Sequence, residues 1–226
     1  MGGLKVENNK VLSYLRRCLA IVPSVPVAAL GVLLFVSADW GSDPLTTFEI
    51  GLSNVFNVQL GTASLVFEGI VFVFFLLVRR DLVNFGTLIW CFTIGPFMNL
   101  FSMFLTPIIP EASELSIAAK AGLIILGSIL IIISLSYYIP IGLGYQASDI
   151  FAFVCADIVH KSYGVGLMIS YAILFVLGVI MGAPWGIGTL VAVLGFGKII
   201  DWLMPIFQPF SYKIAGMTST ETECVE

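Results

Sequence analysis

Three charged side chains lie inside otherwise apolar stretches of this 226-residue sequence. Glu68 is in the middle of a long run with no other charge, and Lys198 and Asp201 lie three residues apart in another. Residues three apart share one face of a helix, so Lys198 and Asp201 can form an ion pair. Because an unpaired charge in an apolar environment is costly, all three side chains must face protein groups or water. They are candidates for a substrate or proton pathway, and the alternative is a structural ion cluster that holds helices together.

No arrangement of a nucleophile and a base is visible in the sequence. The motifs His-Glu-x-x-His, Gly-x-Ser-x-Gly and Gly-x-Gly-Asp are absent, and the only histidine, His160, lies beside Lys161 in a setting typical of a surface. The four cysteines are far apart without a Cys-x-x-Cys pair, which indicates free thiols rather than a metal site or disulfides. We therefore predict a protein that is not an enzyme and that binds neither metal nor cofactor.

The composition is that of a polytopic membrane protein. Hydrophobic residues make up 59% and charged residues 11% of the chain, whereas charged residues make up about 25% of a soluble domain. The net charge of −4 comes largely from the termini and short loops, so it indicates no binding to nucleic acid. The predicted partners are the lipid bilayer and an unknown small solute, and a homo-oligomer is possible in principle.

The second half of the sequence repeats the first. The segment 84–107 is matched by the segment 186–209 at a constant offset, and Gly41 is matched by Gly144 at nearly the same offset. Internal duplication in an apolar chain is typical of transporters and channels, whose site forms where the repeats meet. The alternative is that duplication only builds a larger membrane protein.

The apolar stretches are long enough to cross a membrane. A helix needs about 20 residues to cross a hydrocarbon core of ~30 Å. The first stretch follows two arginines, as a signal peptide does, but it exceeds the roughly 7 to 15 apolar residues of such peptides, so we predict a retained helix. The predicted spans are 18–38, 61–78, 83–106, 117–138, 163–181 and 187–208.

Two shorter and more polar segments, 44–58 and 147–160, decide the topology. If neither crosses the membrane, almost all lysines and arginines fall on one side, which the positive-inside rule assigns to the cytoplasm. We therefore predict a multi-pass protein of the cell (inner) membrane with both termini in the cytoplasm. Three spans in each repeat also turn the second repeat upside down relative to the first.

The predicted fold is an all-α membrane protein of six transmembrane helices. The helices form two inverted three-span repeats, and each repeat carries a short re-entrant or interfacial helix. The repeats comprise residues 18–110 and 117–212. A cytoplasmic segment, 1–17, precedes them, and a disordered cytoplasmic tail, 213–226, follows them.

Both short segments begin with residues that favour the N-terminus of a helix. Asp43 precedes Pro44, while Gln146 and Ser148 occupy the equivalent place in the second repeat and are followed by Asp149. If these helices are re-entrant, their N-termini offer backbone N–H groups and partial positive charge to an anionic or carbonyl-bearing solute. The alternative is a pair of amphipathic helices that lie flat at the interface.

Several glycine, proline and arginine positions together resemble the bacterial YczE/YitT group of integral membrane proteins. The similarity extends over about residues 14–212. The resemblance implies a bacterial inner-membrane protein of five or six spans and supplies no catalytic residues. The matching features are the turn Gly41-x-x-Pro44, the helix start at Gly61, the pair Arg79-Arg80, and the steps Gly86-Thr87 and Gly188-Thr189.

These observations favour a small-solute transporter or exporter with its site at the interface of the repeats. The alternative is a non-transporting membrane scaffold or an accessory protein for a partner enzyme or pump. The candidate pathway residues are Asp43, Glu68, Gln146, Ser148, Asp149, Lys198 and Asp201.

Overall fold

The chain forms a bundle of helices, seen in a computed structural model that describes the backbone of residues 2–217 and the side chains of residues 12–146 and 148–217. Within those residues there is no β-strand. The helices are, in chain order, α1 (Gly2–Ile21), α2 (Ser24–Ser37), α3 (Pro44–Phe56), α4 (Leu60–Val78), α5 (Phe85–Leu105), α6 (Ile117–Tyr138), α7 (Ala147–Val159), α8 (Tyr163–Ile180) and α9 (Ile187–Ala215), with a 3₁₀ turn at Ile139–Ile141.

Six stretches of the described chain are long and apolar enough to cross a membrane. Large apolar side chains such as Leu77 and Ile180 are exposed on their outer surfaces, which suits contact with lipid. The prediction of an all-helical, polytopic membrane protein with six such helices is confirmed. The stretches are Leu12–Ser37, Leu60–Val78, Phe85–Leu105, Ile117–Ile141, Tyr163–Ile180 and Ile187–Ala215.

The first span differs from its predicted form. The stretch 18–38 is not one helix, because a turn at Val22 and Pro23 separates α1 from α2. Proline has no N–H group to donate, so it favours a break in an apolar run that otherwise reads as continuous. Helix α1 also begins well before residue 18, at Gly2.

The last span is longer than predicted. Helix α9 continues past residue 208 to Ala215 and contains Pro205 and Pro209. The predicted disordered tail, 213–226, therefore begins inside a helix. Residues 218–226 of that tail lie outside the described part of the chain.

The two short segments form helices of equal length, since α3 and α7 each have 13 residues. Asp43 caps α3 because its side chain accepts a hydrogen bond from Thr46 N at 3.2 Å, and Pro44 starts the helix. Both helices end at a residue in the left-handed region, Asn57 with a φ of 52° and His160 with a φ of 53°. The two helices therefore share their length and their C-terminal turn.

A glycine turn precedes each short helix and contacts the other half of the chain. Gly41 and Gly144 have φ values of 96° and 103°, a region that favours glycine. The residue after Gly41 donates its backbone N–H to Thr189 Oγ1 at 3.1 Å, and the residue after Gly144 donates to Thr87 Oγ1 at 3.0 Å. Each turn is thus held by the first turn of a long helix from the other half.

Backbone hydrogen bonds repeat this correspondence. Gly188 N donates to Trp40 O, and Gly86 N donates to Leu143 O, each at 3.0 Å. A β-carbon at either glycine would crowd the same carbonyl oxygen. The matched glycines of the sequence therefore make matched close contacts between the halves.

The ends of α1, α6 and α9 meet at one end of the bundle. Arg16 Nε donates to Ile214 O at 3.1 Å, and an Arg17 guanidinium nitrogen donates to Ile141 O at 2.7 Å. We call the end of the bundle defined by these four residues the basic end. It contains the last turn of α9 and the two arginines in the second half of α1.

Candidate functional site

A small cavity lies between the starts of α3 and α7. Its volume is about 40 Å³, which is room for a few water molecules, since one water needs about 10 to 15 Å³ of such space. Side chains from four other helices, α2, α5, α6 and α8, form about half of its wall. These are Ala28, Val32, Trp90, Ile94, Met98, Ile131, Leu135 and Tyr171.

Four buried carboxyl groups meet at this cavity. Asp43 and Glu49 line it from α3, and Asp149 lines it from α7. Glu68 of α4 is buried beside them and accepts a hydrogen bond from Gln146 Nε2 at 2.9 Å. None of the described residues that line the cavity is a lysine, arginine or histidine. Its wall is therefore acidic without a basic counterpart.

Hydroxyl groups donate hydrogen bonds to two of these carboxyl groups. The Tyr163 hydroxyl donates to Asp149 Oδ1 at 2.9 Å, and the Tyr138 hydroxyl donates to the other oxygen of the same carboxyl group. Ser64 Oγ donates to Glu49 Oε1 at 2.7 Å. These neutral donors fix the orientation of the carboxyl groups but supply no balancing charge.

Two buried polar atoms at the cavity have no protein partner. They are Asp43 Oδ2 and Trp90 Nε1, in residues that are 3% and 1% exposed. A buried polar atom left unsatisfied costs about 1 to 3 kcal/mol. One acceptor and one donor of the cavity wall are thus free for a ligand or water.

The N-terminal ends of both short helices carry acidic groups of the cavity. Asp43 and Gln146 occupy the N-cap positions of α3 and α7, and Asp149 lies in the first turn of α7. The partial positive charge of a helix N-terminus stabilises nearby carboxylates, so here it stabilises the carboxyl groups of the protein itself. An anion would meet these carboxyl groups first, so the site favours a cation, and an anionic or carbonyl-bearing solute at these helix starts stays a prediction.

Burial raises the pKa values of the acids on the short helices. The pKa of Asp149 rises to about 8, chiefly because of burial, although the hydrogen bond from Tyr163 opposes the rise. The pKa of Glu49 lies well above its usual range because of burial and then because of the neighbouring Glu68. Near neutral pH the cluster therefore retains protons that a bound cation can displace.

The stability of the purified protein is expected to decrease as the pH rises. The folded protein binds the Asp149 proton more tightly than the unfolded chain does, so stability falls between the ordinary pKa of 3.8 and the folded value of about 8. Asp149→Asn removes the carboxyl group that titrates. The melting temperature of this variant in detergent should therefore fall less than that of the native protein between those two pH values. An equal fall in both proteins would contradict the assignment.

Five of the predicted pathway residues come together at the cavity. Ser148 is buried in its wall, beside the acids of the same wall. Glu68 joins the group through its hydrogen bond with Gln146 rather than through the wall itself. The residues brought together are Asp43, Glu68, Gln146, Ser148 and Asp149.

Lys198 and Asp201 do not belong to this group. Lys198 is exposed on α9, while Asp201 accepts hydrogen bonds from Ser162 Oγ at 2.6 Å and from Gly164 N at 2.9 Å. No ion pair joins the two among the described side chains. The predicted pair, and its cluster with Glu68, are corrected for a physical reason: Asp201 binds the free N–H of Gly164 and the Ser162 hydroxyl at the start of α8.

Glu49 is the main site residue that the sequence analysis missed. A signal existed, because Thr46 and Glu49 follow Asp43 at intervals of three and so share one face of a helix. The tyrosines that contact Asp149 had no such signal. Tyrosine is common in apolar helices, and only tertiary packing reveals which carboxyl group its hydroxyl reaches.

Comparison with known proteins identifies relatives without assigning an activity. The model of a family of unknown function, DUF6198, matches residues 15–205. The chain is similar to "Uncharacterized protein YyaS" of Bacillus subtilis (strain 168), with 25% identity over 183 residues, 80% of this chain and 89% of YyaS. No solved structure matches the chain. The resemblance to the YczE/YitT group stays a prediction.

Proposed function

Because this chain belongs to the DUF6198 family of unknown function, we propose a function from its own site: it transports a small cationic solute across the membrane in exchange for protons. The observation that carries the proposal is the buried cavity in which acids of α3 and α7 meet without a basic residue in the described wall. Ionisable groups inside a membrane protein mark ion and proton pathways, since their burial is otherwise costly.

The proposed architecture is a pair of inverted repeats. It is supported by the matched turns at Gly41 and Gly144 and by their matched contacts with Thr189 and Thr87. Each contact joins the start of a short helix to a long helix of the other half. Transporters with this plan hold their substrate at the interface of the repeats, where the acidic cavity lies.

In this architecture α3 is a re-entrant helix. Its N-cap residue Asp43 shares the cavity with Tyr171, from the middle of α8. Further along, α3 packs on the end of α8, where Gly51 contacts Met181. This course, from the centre of a span toward its end, supports a helix that enters the membrane to half its depth rather than one lying flat.

Helix α7 follows the equivalent course along α4. Gln146, at its start, binds Glu68 in the middle of α4. Asp157, near its end, forms an ion pair of 3.2 Å with Arg79, just after α4. The two short helices therefore start at the same cavity. The orientation of the protein in the membrane follows from its basic residues: the positive-inside rule favours a cytoplasmic location for the basic end and for both termini.

The wall of the cavity favours an organic or ammonium-type cation. The described acids include no group of three side chains arranged to hold a metal ion. Trp90 and Tyr171 add aromatic rings to the wall, and such rings attract organic cations through cation–π contacts. The small volume limits the bound part of the solute to a few heavy atoms.

The acids also account for exchange rather than simple passage. Several carboxylates ionised together in one small buried site repel one another, so the empty site must take up protons. A cation that enters displaces those protons, and protons return when the cation leaves. The carboxyl groups thus couple the movement of the cation to the movement of protons. An empty site with several ionised carboxylates costs too much free energy to reorient from one side of the membrane to the other.

Proton flux in proteoliposomes tests this function. Vesicles loaded with guanidinium or tetramethylammonium chloride and a pH-sensitive dye are diluted into medium without the cation. We expect the interior to acidify as the cation leaves, both in the native protein and in the control Lys198→Met, whose charge lies outside the site. Rates equal to those of protein-free vesicles for both cations would favour the scaffold or accessory protein instead.

A further inference from the structure

A second cavity, of about 330 Å³, lies near the basic end of the bundle. Its wall includes Ile139 and Tyr212, which are close in sequence to the residues that bind Arg17 and Arg16. Polar groups from α8 and α9 face it, among them Asp201 and Gln208. We call this cavity the vestibule.

Tyr163 links the wall of the vestibule to the wall of the acidic cavity. It lines the vestibule and is buried at the start of α8. Its hydroxyl donates to Asp149 Oδ1 at 2.9 Å, and Asp149 belongs to the wall of the acidic cavity. The Tyr163 ring also lies against the ring of Phe153, with centroids 4.7 Å apart. One side chain therefore lines the vestibule and binds a wall residue of the acidic cavity.

We propose that the vestibule is the solute's route to the acidic cavity from the basic end, and that Tyr163 is the gate between them. Rotation of the Tyr163 ring, with loss of its hydrogen bond to Asp149, joins the two spaces. The Asp201 carboxylate in the vestibule wall attracts cations toward the gate. This inference rests on the proposed function for the identity of the solute. The gate itself rests on the contacts of Tyr163.

Cysteine accessibility tests the gate without any transport measurement. A cysteine is introduced in the acidic cavity by Ser148→Cys, in full-length protein whose native cysteines are replaced by serine. A permanently cationic methanethiosulfonate reagent is then added from the side of the basic end. With Tyr163→Ala we expect the labelling rate to rise about tenfold or more, since the hydrogen bond that holds the gate is lost together with the ring.

Three controls make the result specific. Tyr163→Phe keeps the ring and loses only the hydroxyl, so its labelling rate should rise by a smaller factor. Trp202→Ala removes an exposed aromatic side chain that lines neither cavity and should leave the rate unchanged. Ser134→Cys, buried in α6, should stay unreactive when Tyr163→Ala is introduced, which excludes a general loosening of the bundle.

An unchanged rate in Tyr163→Ala, or an equal rise in Trp202→Ala, would overturn the gate. The labelling result is independent of solute flux. If labelling follows the expectation while proteoliposomes show no proton flux, the gate stands and the transport proposal fails. If flux is present while labelling is unaffected by Tyr163→Ala, the solute takes another route and the gate fails.

Discussion

Asp149→Asn is expected to reduce proton-linked transport to the rate of protein-free vesicles while the protein stays folded. Asparagine has the shape of aspartate and retains an acceptor for one tyrosine hydroxyl, and the other hydroxyl can rotate to accept from the amide. It cannot release or take up a proton, so the exchange loses its coupling group. The measurement is dye-reported proton flux, made on samples matched for the amount of inserted protein.

Folding is monitored separately so that lost activity is not confused with lost protein. We expect the melting temperature of Asp149→Asn near neutral pH to differ from that of the native protein by at most about 4 °C. Lys198→Met is the matched control, since it removes a charge from the exposed side of α9. Full proton flux in Asp149→Asn would remove this carboxyl group from the pathway.

Gly41→Ala and Gly144→Ala are expected to be equally damaging to folding. Both glycines have positive φ, which costs an L-residue about 1 to 2 kcal/mol. A β-carbon at either position would also collide with a threonine of the other half, Thr189 or Thr87, and with nearby backbone nitrogen. Such overpacking adds about 1 to 3 kcal/mol. The yield of inserted protein and the melting temperature should both fall steeply.

Gly182 provides a matched control for the backbone effect. Its φ is 80°, and a β-carbon there would meet no atom within 4 Å. Gly182→Ala should therefore cost only the strain of the left-handed region, about 1 to 2 kcal/mol. If Gly182→Ala is as damaging as the other two variants, the contacts between the halves add nothing to the stability of the protein. If only one of Gly41 and Gly144 is sensitive, the halves are not equivalent.

The sequence was sufficient to predict the spans, because their length and apolarity are properties of the chain alone. The break at Pro23 escaped the prediction since the apolar run continues across it without a charge. The continuation of α9 through Pro209 escaped it for the opposite reason, because proline normally indicates a helix end.

The candidate site was predictable where local helix-start chemistry indicated it. Asp43, Gln146, Ser148 and Asp149 were found from their positions after the matched glycines, and they line one cavity. Glu49 adds polarity to the short segment 44–58 in the sequence. Its place in the wall depends on how α3 packs, which composition does not reveal.

The error over Asp201 was also informative. Helical spacing placed it on the same face as Lys198 but could not show which neighbour that face contacts. The repeat carried the better signal, since Asn99 is the residue that matches Asp201. A β-carbon at Gly61 would meet Asn99, just as one at Gly164 would meet Asp201. Equivalent positions therefore pack against equivalent helix starts in both halves.

Proton release on cation binding is the most direct test of the central claim, which is that the buried acids exchange protons for a small cation. Guanidinium or tetramethylammonium is added to purified protein in weakly buffered detergent solution near neutral pH, and a pH-sensitive dye reports released protons. We predict a saturable release that is absent when Asp43, Glu49 and Asp149 are replaced together by their amides. Cation binding without proton release, or an equal release from the triple variant, would contradict the account.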